Sequence, residues 1–577
     1  MTPAKNTNRA GRCTDMITQW GEKLEQEMVL QEYPRPQMMR ESYLNLNGIW
    51  SYAITESAEP PTVWDGAILV PFSPEAPLSG VEKTLFSHQY LWYQRMFLLP
   101  EAFNKGRVLL HFGAVDQEAV VYLNHQEVGR HTGGYLPFCI DITEYLTEHN
   151  LLEVRVQDNT DEGYHTHGKQ RHKRGGMWYT PQSGIWQTVW MESVPETYIK
   201  RLIITPKVDR QCVEIGAEIV GKTRPVVHFQ GKDYPLPARI PAEDLTCWTP
   251  ENPELYSFTV TCEEDNILSY FAYRSLSVEN DEHGVPRLFL NGKPYFHNGL
   301  LDQGYWPDGL YTPPSDAAMV FDIQTAKDMG FNMLRKHMKI EPLRWYYHCD
   351  RLGMLVWQDA PCGANVYNPL VISAPLVTGK HRKDNAYAAF GREDKAGREE
   401  FRQEVRDMVR TLYNCPCIVL WVPFNEGWGQ FDAEKVVEDI RQIDRSRLID
   451  HASGWHDQKI GDIQSLHVYF RKYRFRPDKL GRAVVLSEFG GYNHQVFDHT
   501  FSKKDFGYKK LESPLQLENA LQELYEEQIL PAWEDGLSAA VYTQLTDVED
   551  ELNGLITYDR KVVKIPPARM AAIVKVE

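Results

Sequence analysis

The 577 residues contain no uninterrupted apolar run long enough to cross a bilayer, which argues against a helical membrane span. The N-terminus, Met1-Thr-Pro-Ala-Lys-Asn-Thr-Asn-Arg-Ala10, lacks the apolar core of a secretory signal, so a cytoplasmic location is expected. Positive charge is in deficit: 62 Lys and Arg stand against 79 Asp and Glu, a formal net charge of -17. Nucleic acids and anionic membranes want basic surfaces, so neither is an expected partner. Cysteine is sparse and odd in number, nine in all, which fits reduced thiols better than a disulfide framework. Cys415-Pro-Cys417 has no matching pair or histidine set at zinc spacing and reads as core packing. No Gly-rich phosphate loop and no His-x-x-x-His occurs, so no cofactor and no metal is expected.

What the chain has in surplus is aromatics, 12% of residues with 15 Trp and 30 Tyr. Rings beyond the needs of a core could stack on the apolar faces of sugars; aromatic-rich β-domains would also account for them.

The stretch Ile418-Val-Leu-Trp-Val-Pro-Phe-Asn-Glu-Gly-Trp-Gly-Gln430 organises the rest. Its apolar run reads as a strand buried on both faces, as in a parallel sheet. At its end stand Asn425 and Glu426 between Trp421 and Trp428. A carboxyl among indole rings is poorly hydrated, so its pKa should rise toward the range a general acid needs. Ala483-Val-Val-Leu-Ser-Glu-Phe-Gly-Gly491 repeats the design with Glu488. Either glutamate alone could be a surface loop charge. Two on the outgoing ends of strands in one alternating strand–helix region point to a shared crevice.

Residues 1 to about 40 read as an irregular arm. From Leu44, short strands with turn residues and no helical period predict a jelly-roll β-sandwich, giving a first domain over 1–195. A smaller set of strands from Tyr198 predicts an immunoglobulin-like sandwich over 196–280. After the hairpin Leu288-Phe-Leu-Asn-Gly-Lys-Pro294, strands alternate with amphipathic helices over 281–577. Helices are expected over Ser315–Met329, Pro342–Leu352 and Glu399–Tyr413. Eight strand–helix units predict a (β/α)8 barrel; a doubly wound open sheet is the alternative, weakened by the missing phosphate loop. Asp316 and Asp322 read as solvated helix charges, and 361–397 as a long loop that borders the pocket or strays from the surface.

A barrel carries its site at the outgoing strand ends. Those ends supply Asp302, Arg335, His337, Asp359, Asn425, Glu426, His467, Tyr469 and Glu488, with Trp357, Trp428, Phe489 and Tyr542 as apolar wall. Glycosidic cleavage needs an acid for the leaving oxygen and a carboxylate for the oxocarbenium-like carbon, and this set provides both.

These motifs are similar to glycoside hydrolase family 2, the group of β-galactosidases, β-glucuronidases and β-mannosidases. The resemblance runs through Leu46-Asn-Gly-Ile-Trp50, His111-Phe-Gly-Ala-Val-Asp116, Gly133-Gly-Tyr-Leu-Pro-Phe138, Gly184-Ile-Trp-Gln-Thr-Val-Trp190, Asn425-Glu426 and Ser487-Glu488-Phe489. It implies that Glu426 is the acid/base and Glu488 the nucleophile of a retaining mechanism. It further implies substrate contacts from Asp302, Arg335, His337, Asp359, Asn425, Trp428, His467, Tyr469 and Tyr542. Arg335 and Asn425 are expected to keep Glu488 ionised while Glu426 holds a proton.

Two departures bear on the sugar. Lys336 stands where the family has a serine, followed by Met338-Lys339. The Asn-x-Lys with which glucuronidases grip a carboxylate becomes Asn553-Gly-Leu555 here. A neutral sugar is therefore expected, β-galactoside ahead of β-mannoside or α-L-arabinopyranoside, unless Lys336 or Lys339 supplies the cation. The competing reading from another class is an inactive carbohydrate-binding protein. The sandwiches could also build a homo-oligomer in which one chain finishes a neighbour's pocket.

Overall fold

The computed structural model describes residues 16–364 and 366–576. The first fifteen residues of the predicted arm, Cys13 among them, lie outside the described residues. The rest of the arm lies on the body. Thr18 bonds to Asp308, and Arg35 and Arg40 converge on the buried Glu192 at 2.7 and 3.0 Å.

Residues 44–194 form antiparallel sheets of four and six strands, with a two-stranded one joining Val115–Asp116 to Gly184–Ile185. The strand Asn150–Gln157 shows why they pack. Leu152, Val154 and Val156 alternate inward, and Val154 sits between Tyr93 and Val121 of the flanking strands. The next module pairs a three-stranded sheet from Tyr198–Lys207 with a four-stranded one ending at Asp265–Phe271. Trp248, fully buried behind it, donates its indole N–H to the Asp350 carbonyl and docks the module on the barrel.

The third region is a parallel sheet of eight strands: β1 His297–Asp302, β2 Met333–Lys336, β3 Leu355–Asp359, β4 Ile418–Val422, β5 Leu448–Ile449, β6 Ile463–Val468, β7 Ala483–Gly490 and β8 Ala539–Thr543. Neighbours run β5-β4-β3-β2-β1-β8-β7-β6. Between β5 and β6 the ring is joined by two single bonds, Asp462 N–H to the Ile449 carbonyl and Ile449 N–H to the Asp462 carboxylate. Alternation within each strand divides the core in two. Leu301, Met333, Leu355, Trp357 and Val485 fill the barrel, whereas Leu300, Leu334, Val356 and Leu486 face the helices.

The helices follow the predicted signals. Ser315 caps Asp316–Asp328 by accepting the Ala318 N–H. Leu343–Leu352 ends at Gly353, whose φ of 74° suits the left-handed turn that closes it. The third runs over Lys395–Leu412 from an Asp394 cap. The 361–397 segment is not a bare loop: it carries short helices at Pro369–Ile372 and Ala374–Thr378. Asp316 and Asp322 are not solvated charges, because Asp316 holds Arg344 and His348, and Asp322 holds the buried Arg560. The eight described cysteines are unpaired. Among the described residues no helix is long and apolar enough to cross a membrane.

Candidate active site

At the end of β4 the chain turns sharply. Glu426 adopts a left-handed φ of 51°, and its N–H is caught by the Ser453 carbonyl at 2.9 Å. A left-handed glutamate costs backbone energy that the surrounding bonds must hold. The turn aims the Glu426 carboxyl back over the barrel mouth. One oxygen lies 2.8 Å from His467 Nδ1 and the other accepts the Trp428 indole N–H at 3.1 Å. From β7, Glu488 accepts the Arg335 Nη1–H at 3.0 Å on one oxygen and the Tyr469 hydroxyl on the other. His467 spans the two, its Nδ1 being 3.5 Å from Glu488. Oxygens of Glu426 and Glu488 and a ring nitrogen of His467 all lie within 4.8 Å of one another.

Arg335 knits the floor. Its guanidinium grips Asp359 through Nε and Nη2 at 3.0 and 2.9 Å, Asn425 at 2.9 Å, and the Ser487 carbonyl at 3.1 Å. His337 Nδ1 is 2.7 Å from the same Asp359. Burial, then the charges of Lys169 and Arg335, push the His337 imidazole well below its usual range, so it is neutral. Asn425 leaves its side-chain N–H2 buried and without an acceptor among the described residues. Burial and the neighbouring Glu488 charge hold the Tyr469 hydroxyl protonated, as a donor to that glutamate.

The expected upward shift of Glu426 is not what this arrangement produces. Burial pushes its carboxyl up, but the bond and charge of His467, the charge of Lys169 and the Trp428 N–H together outweigh it and hold it below the ordinary carboxylate range. Besides being apolar neighbours, the indoles include a donor, Trp428, and His467 adds a second polar contact that hydration alone does not describe.

Arg335, His337, Asp359, Asn425, Glu426, Trp428, His467, Tyr469 and Glu488 thus meet around one mouth. Asp302 and Tyr542 do not. Asp302 spends its carboxylate on Lys336 Nζ at 2.6 Å and on the Gly304 N–H. Tyr542 packs against Phe489 and accepts the Tyr492 N–H at 3.2 Å, while its neighbour Thr543 reaches the Tyr469 hydroxyl at 3.0 Å. The cause is strand parity. Leu301 and Arg335 face inward, so Asp302 and Lys336 face out, and on β8 the same rule turns Tyr542 toward the helices. Lys336 and Lys339 are likewise tied up outside the mouth by Asp302 and Glu341.

The sequence reading missed the cover. Residues 158–182 of the N-terminal sandwich cross onto the barrel. The His167 and Gly168 N–H groups bond to the Cys362 carbonyl, Thr166 to Glu404, and Arg174 to Glu549 and Asp550. Gly168 has φ 57°, and a Cβ there would sit 2.8 Å from the Met338 carbonyl, so the crossing admits no larger residue. This segment brings Lys169, Trp178 and Tyr179 to the mouth. Trp178 meets the edge of Trp428 at 5.3 Å, and Tyr367 of the 361–397 segment lies 4.9 Å from Trp428. These rings and Arg171 border a cavity of about 270 Å³ beside Trp428, from the 158–182 segment to the 361–397 segment. The cluster of His, Lys and Arg over 165–174 was the available signal. A larger cleft of about 410 Å³ lies between arm, sandwich and barrel, and none of the residues around the mouth lines it.

Glu426, His467 and Glu488 lie close enough for one ion. All three already hold protein partners, and the Arg335 charge on Glu488 opposes a cation there.

Residues 84–195 match the sugar binding domain of glycosyl hydrolases family 2, and residues 288–488 match that family's TIM barrel domain. The beta-galactosidase of Thermoanaerobacter pseudethanolicus is 25% identical over 387 residues, 62% of this chain and 47% of that protein. The chain thus spans about half the length of that relative. The beta-glucuronidase of Streptococcus agalactiae is 24% identical over 425 residues, 68% of each chain. Among solved structures, an uncultured Clostridium sp. beta-glucuronidase superposes with a TM-score of 0.73 at 19% identity, covering 93% of this chain and 98% of that one. A beta-galacturonidase from Eisenbergiella tayi gives 0.69 at 17% identity, covering 95% and 98%. These likenesses establish the shared fold. Matched in its N-terminal sandwich and in its barrel as far as Glu488, the chain belongs to glycoside hydrolase family 2.

Proposed function

We propose that the protein is a retaining, exo-acting β-glycosidase that removes a terminal sugar by double displacement. The observation that carries this is the spacing of Glu426 and Glu488, whose oxygens lie within 4.8 Å. Retaining enzymes hold their carboxyl groups about 5–5.5 Å apart, and inverting ones leave room for a water at about 6.5–9.5 Å.

In the first step Glu426, protonated, gives its proton to the glycosidic oxygen. Glu488 attacks the anomeric carbon as that C–O bond breaks. Arg335 and Tyr469 hold the Glu488 carboxyl in place for the attack and lose their strongest attraction once it becomes an ester. In the second step Glu426 takes a proton from water, the oxygen adds to the anomeric carbon, and Glu488 leaves. His467 Nδ1, 2.8 Å from Glu426, holds that carboxyl in position through both steps. The unpaired Asn425 donor suits a sugar hydroxyl, and Trp178, Tyr367 and Trp428 form an aromatic wall next to Glu426.

Glu488→Ala should abolish turnover of aryl glycosides, and azide should restore it with an α-glycosyl azide as product. Glu426→Ala with azide should give the β-anomer. Hydrolysis surviving in Glu488→Ala without azide would remove the nucleophile assignment. On the sugar, relatives bear the names beta-galactosidase and beta-glucuronidase. Leu555, fully buried, supplies no cation from the β8 loop, so the choice between a neutral and an acidic sugar falls to the other residues at the mouth.

A further inference from the structure

We infer that Lys169, carried over the barrel by the N-terminal sandwich, binds the carboxylate of the terminal sugar, so that the substrate is a β-linked uronic acid. This rests on the retaining-glycosidase reading and deepens it.

Lys169 is 6% exposed. Its ammonium makes no hydrogen bond or ion pair among the described residues; its Nζ lies 5.5 Å from the Trp178 ring centre. A desolvated cation with no counter-ion is unfavourable unless something fills its hydrogen bonds when the protein works. The other cations near the mouth are engaged: Arg335 by Asp359 and Glu488, Lys336 and Lys339 by Glu341, Lys564 by Asp547, Arg174 by Glu549 and Asp550. Arg171 is the exception: it stacks on Trp178 at 3.9 Å, but its buried Nε has no acceptor among the described residues.

Its place suits the sugar. The Lys169 carbonyl accepts the Tyr179 N–H, and the Tyr179 hydroxyl donates to Glu551 on the loop after β8. Trp178, which Lys169 overlies, touches Trp428, whose indole N–H holds Glu426. The charge of Lys169 is felt at Glu426, at His337 and at Glu551. Held through Trp178 on the Trp428 side and through Tyr179 on the Glu551 side, Lys169 lies between the Glu426 wall and the β8 loop, the loop on which Leu555 supplies no charge. One ammonium matches one negative charge, and the nearby Glu426 and Glu551, neither of them paired with it, disfavour a dianionic phosphate more than a single carboxylate. The neutral-sugar expectation followed from one loop; the cation comes from another domain.

A carboxylate docking on Lys169 also serves the chemistry. It cancels a charge that favours the ionised form of Glu426 and so helps that residue hold the proton it must deliver.

The test compares p-nitrophenyl β-D-glucuronide, β-D-galacturonide, β-D-galactoside and 6-O-sulfo-β-D-galactoside on wild-type protein and on Lys169→Met and Lys169→Arg. The expected result is that one uronide is preferred over the galactoside by 100-fold or more in kcat/KM. Lys169→Met should cut that ratio by at least 30-fold, and Lys169→Arg should recover part of it. Calorimetry with sodium glucuronate, sodium galacturonate and galactose reads the cation without turnover. Binding of a uronate that Lys169→Met loses would support the inference even if no aryl glycoside is cleaved, an outcome that would sink the hydrolase reading instead. Faster turnover of the galactoside, preference for the sulfated sugar, or an equal loss on all substrates in Lys169→Met would overturn it.

Discussion

On the floor of the pocket, the Arg335 guanidinium meets Asp359, Asn425, Ser487 and Glu488. On the rim, the Lys169 ammonium meets no protein acceptor among the described residues, although it is almost as deeply buried. The floor comes from strand ends locked in one sheet, where each polar group can be matched by a fixed neighbour. The rim comes from a segment of another domain, laid across the barrel and stapled at its ends by Thr166 and Arg174. Groups that must hold a reacting geometry sit where the structure already satisfies them. A group that must read a substrate is left for the substrate to satisfy.

The sharpest break between the two regions should come from the floor. Glu488→Ala should lower kcat by about 10⁴-fold or more on every substrate, because the nucleophile serves them all. Arg335→Met should follow closely. It leaves Asp359 and Glu488 buried without their cation, at a cost of about 3–5 kcal/mol in unfolding free energy. Denaturant titration beside kcat would separate the stability loss from the catalytic one; unchanged stability would mean that the floor is less tightly locked than its hydrogen bonds imply.

Rim changes should be smaller and selective. Trp428→Phe removes an N–H that stabilises the Glu426 anion, with a loss in kcat of about 10-fold if its role is the usual worth of one positioned donor or less. The pH profile then sharpens the comparison. Glu426 faces His467, Glu488, Lys169, Trp428, Tyr469 and Tyr508, and the net effect holds its pKa low. Taking away Lys169 or the Trp428 N–H removes a contribution that lowers it, so the pKa rises. Glu426 acts protonated, so the basic limb of kcat/KM should move to higher pH in Lys169→Met and Trp428→Phe. A shift to lower pH would contradict the stated electrostatics. The smallest effect should come from Arg174→Gln, which loosens one staple of the covering segment. A change of about threefold or less in kcat/KM is expected, with Tm lower by a few degrees, since its partners Glu549 and Asp550 are buried.

Much of this molecule is written in local pattern. The run Ile418–Val422 and the run Ala483–Gly490 are continuous and apolar, so they identify themselves as strands covered on both faces, and the residues that end them mark the mouth. Helix ends at Ser315 and Gly353 carry their own signals. Parity was harder. Asp302 and Tyr542 lie at strand ends as Arg335 does, yet face outward, because a one-residue offset in a two-residue repeat reverses a side chain and no local signal sets that offset in a strand buried on both faces. Glu426 stands at the outgoing end of β4, but its environment was not legible: Trp428 serves as a donor to the carboxylate, and His467 comes from two strands further on.

Strand–helix order, the two carboxylates at outgoing ends, and membership in a family of sugar hydrolases can be read from the chain, since each depends on residues close together in it. Which neighbour each charge meets is a property of packing between distant segments. The unpaired Lys169, the donor set on Glu426 and the outward turn of Asp302 arise from how one sandwich lies across one barrel, a relation that no stretch of sequence encodes alone.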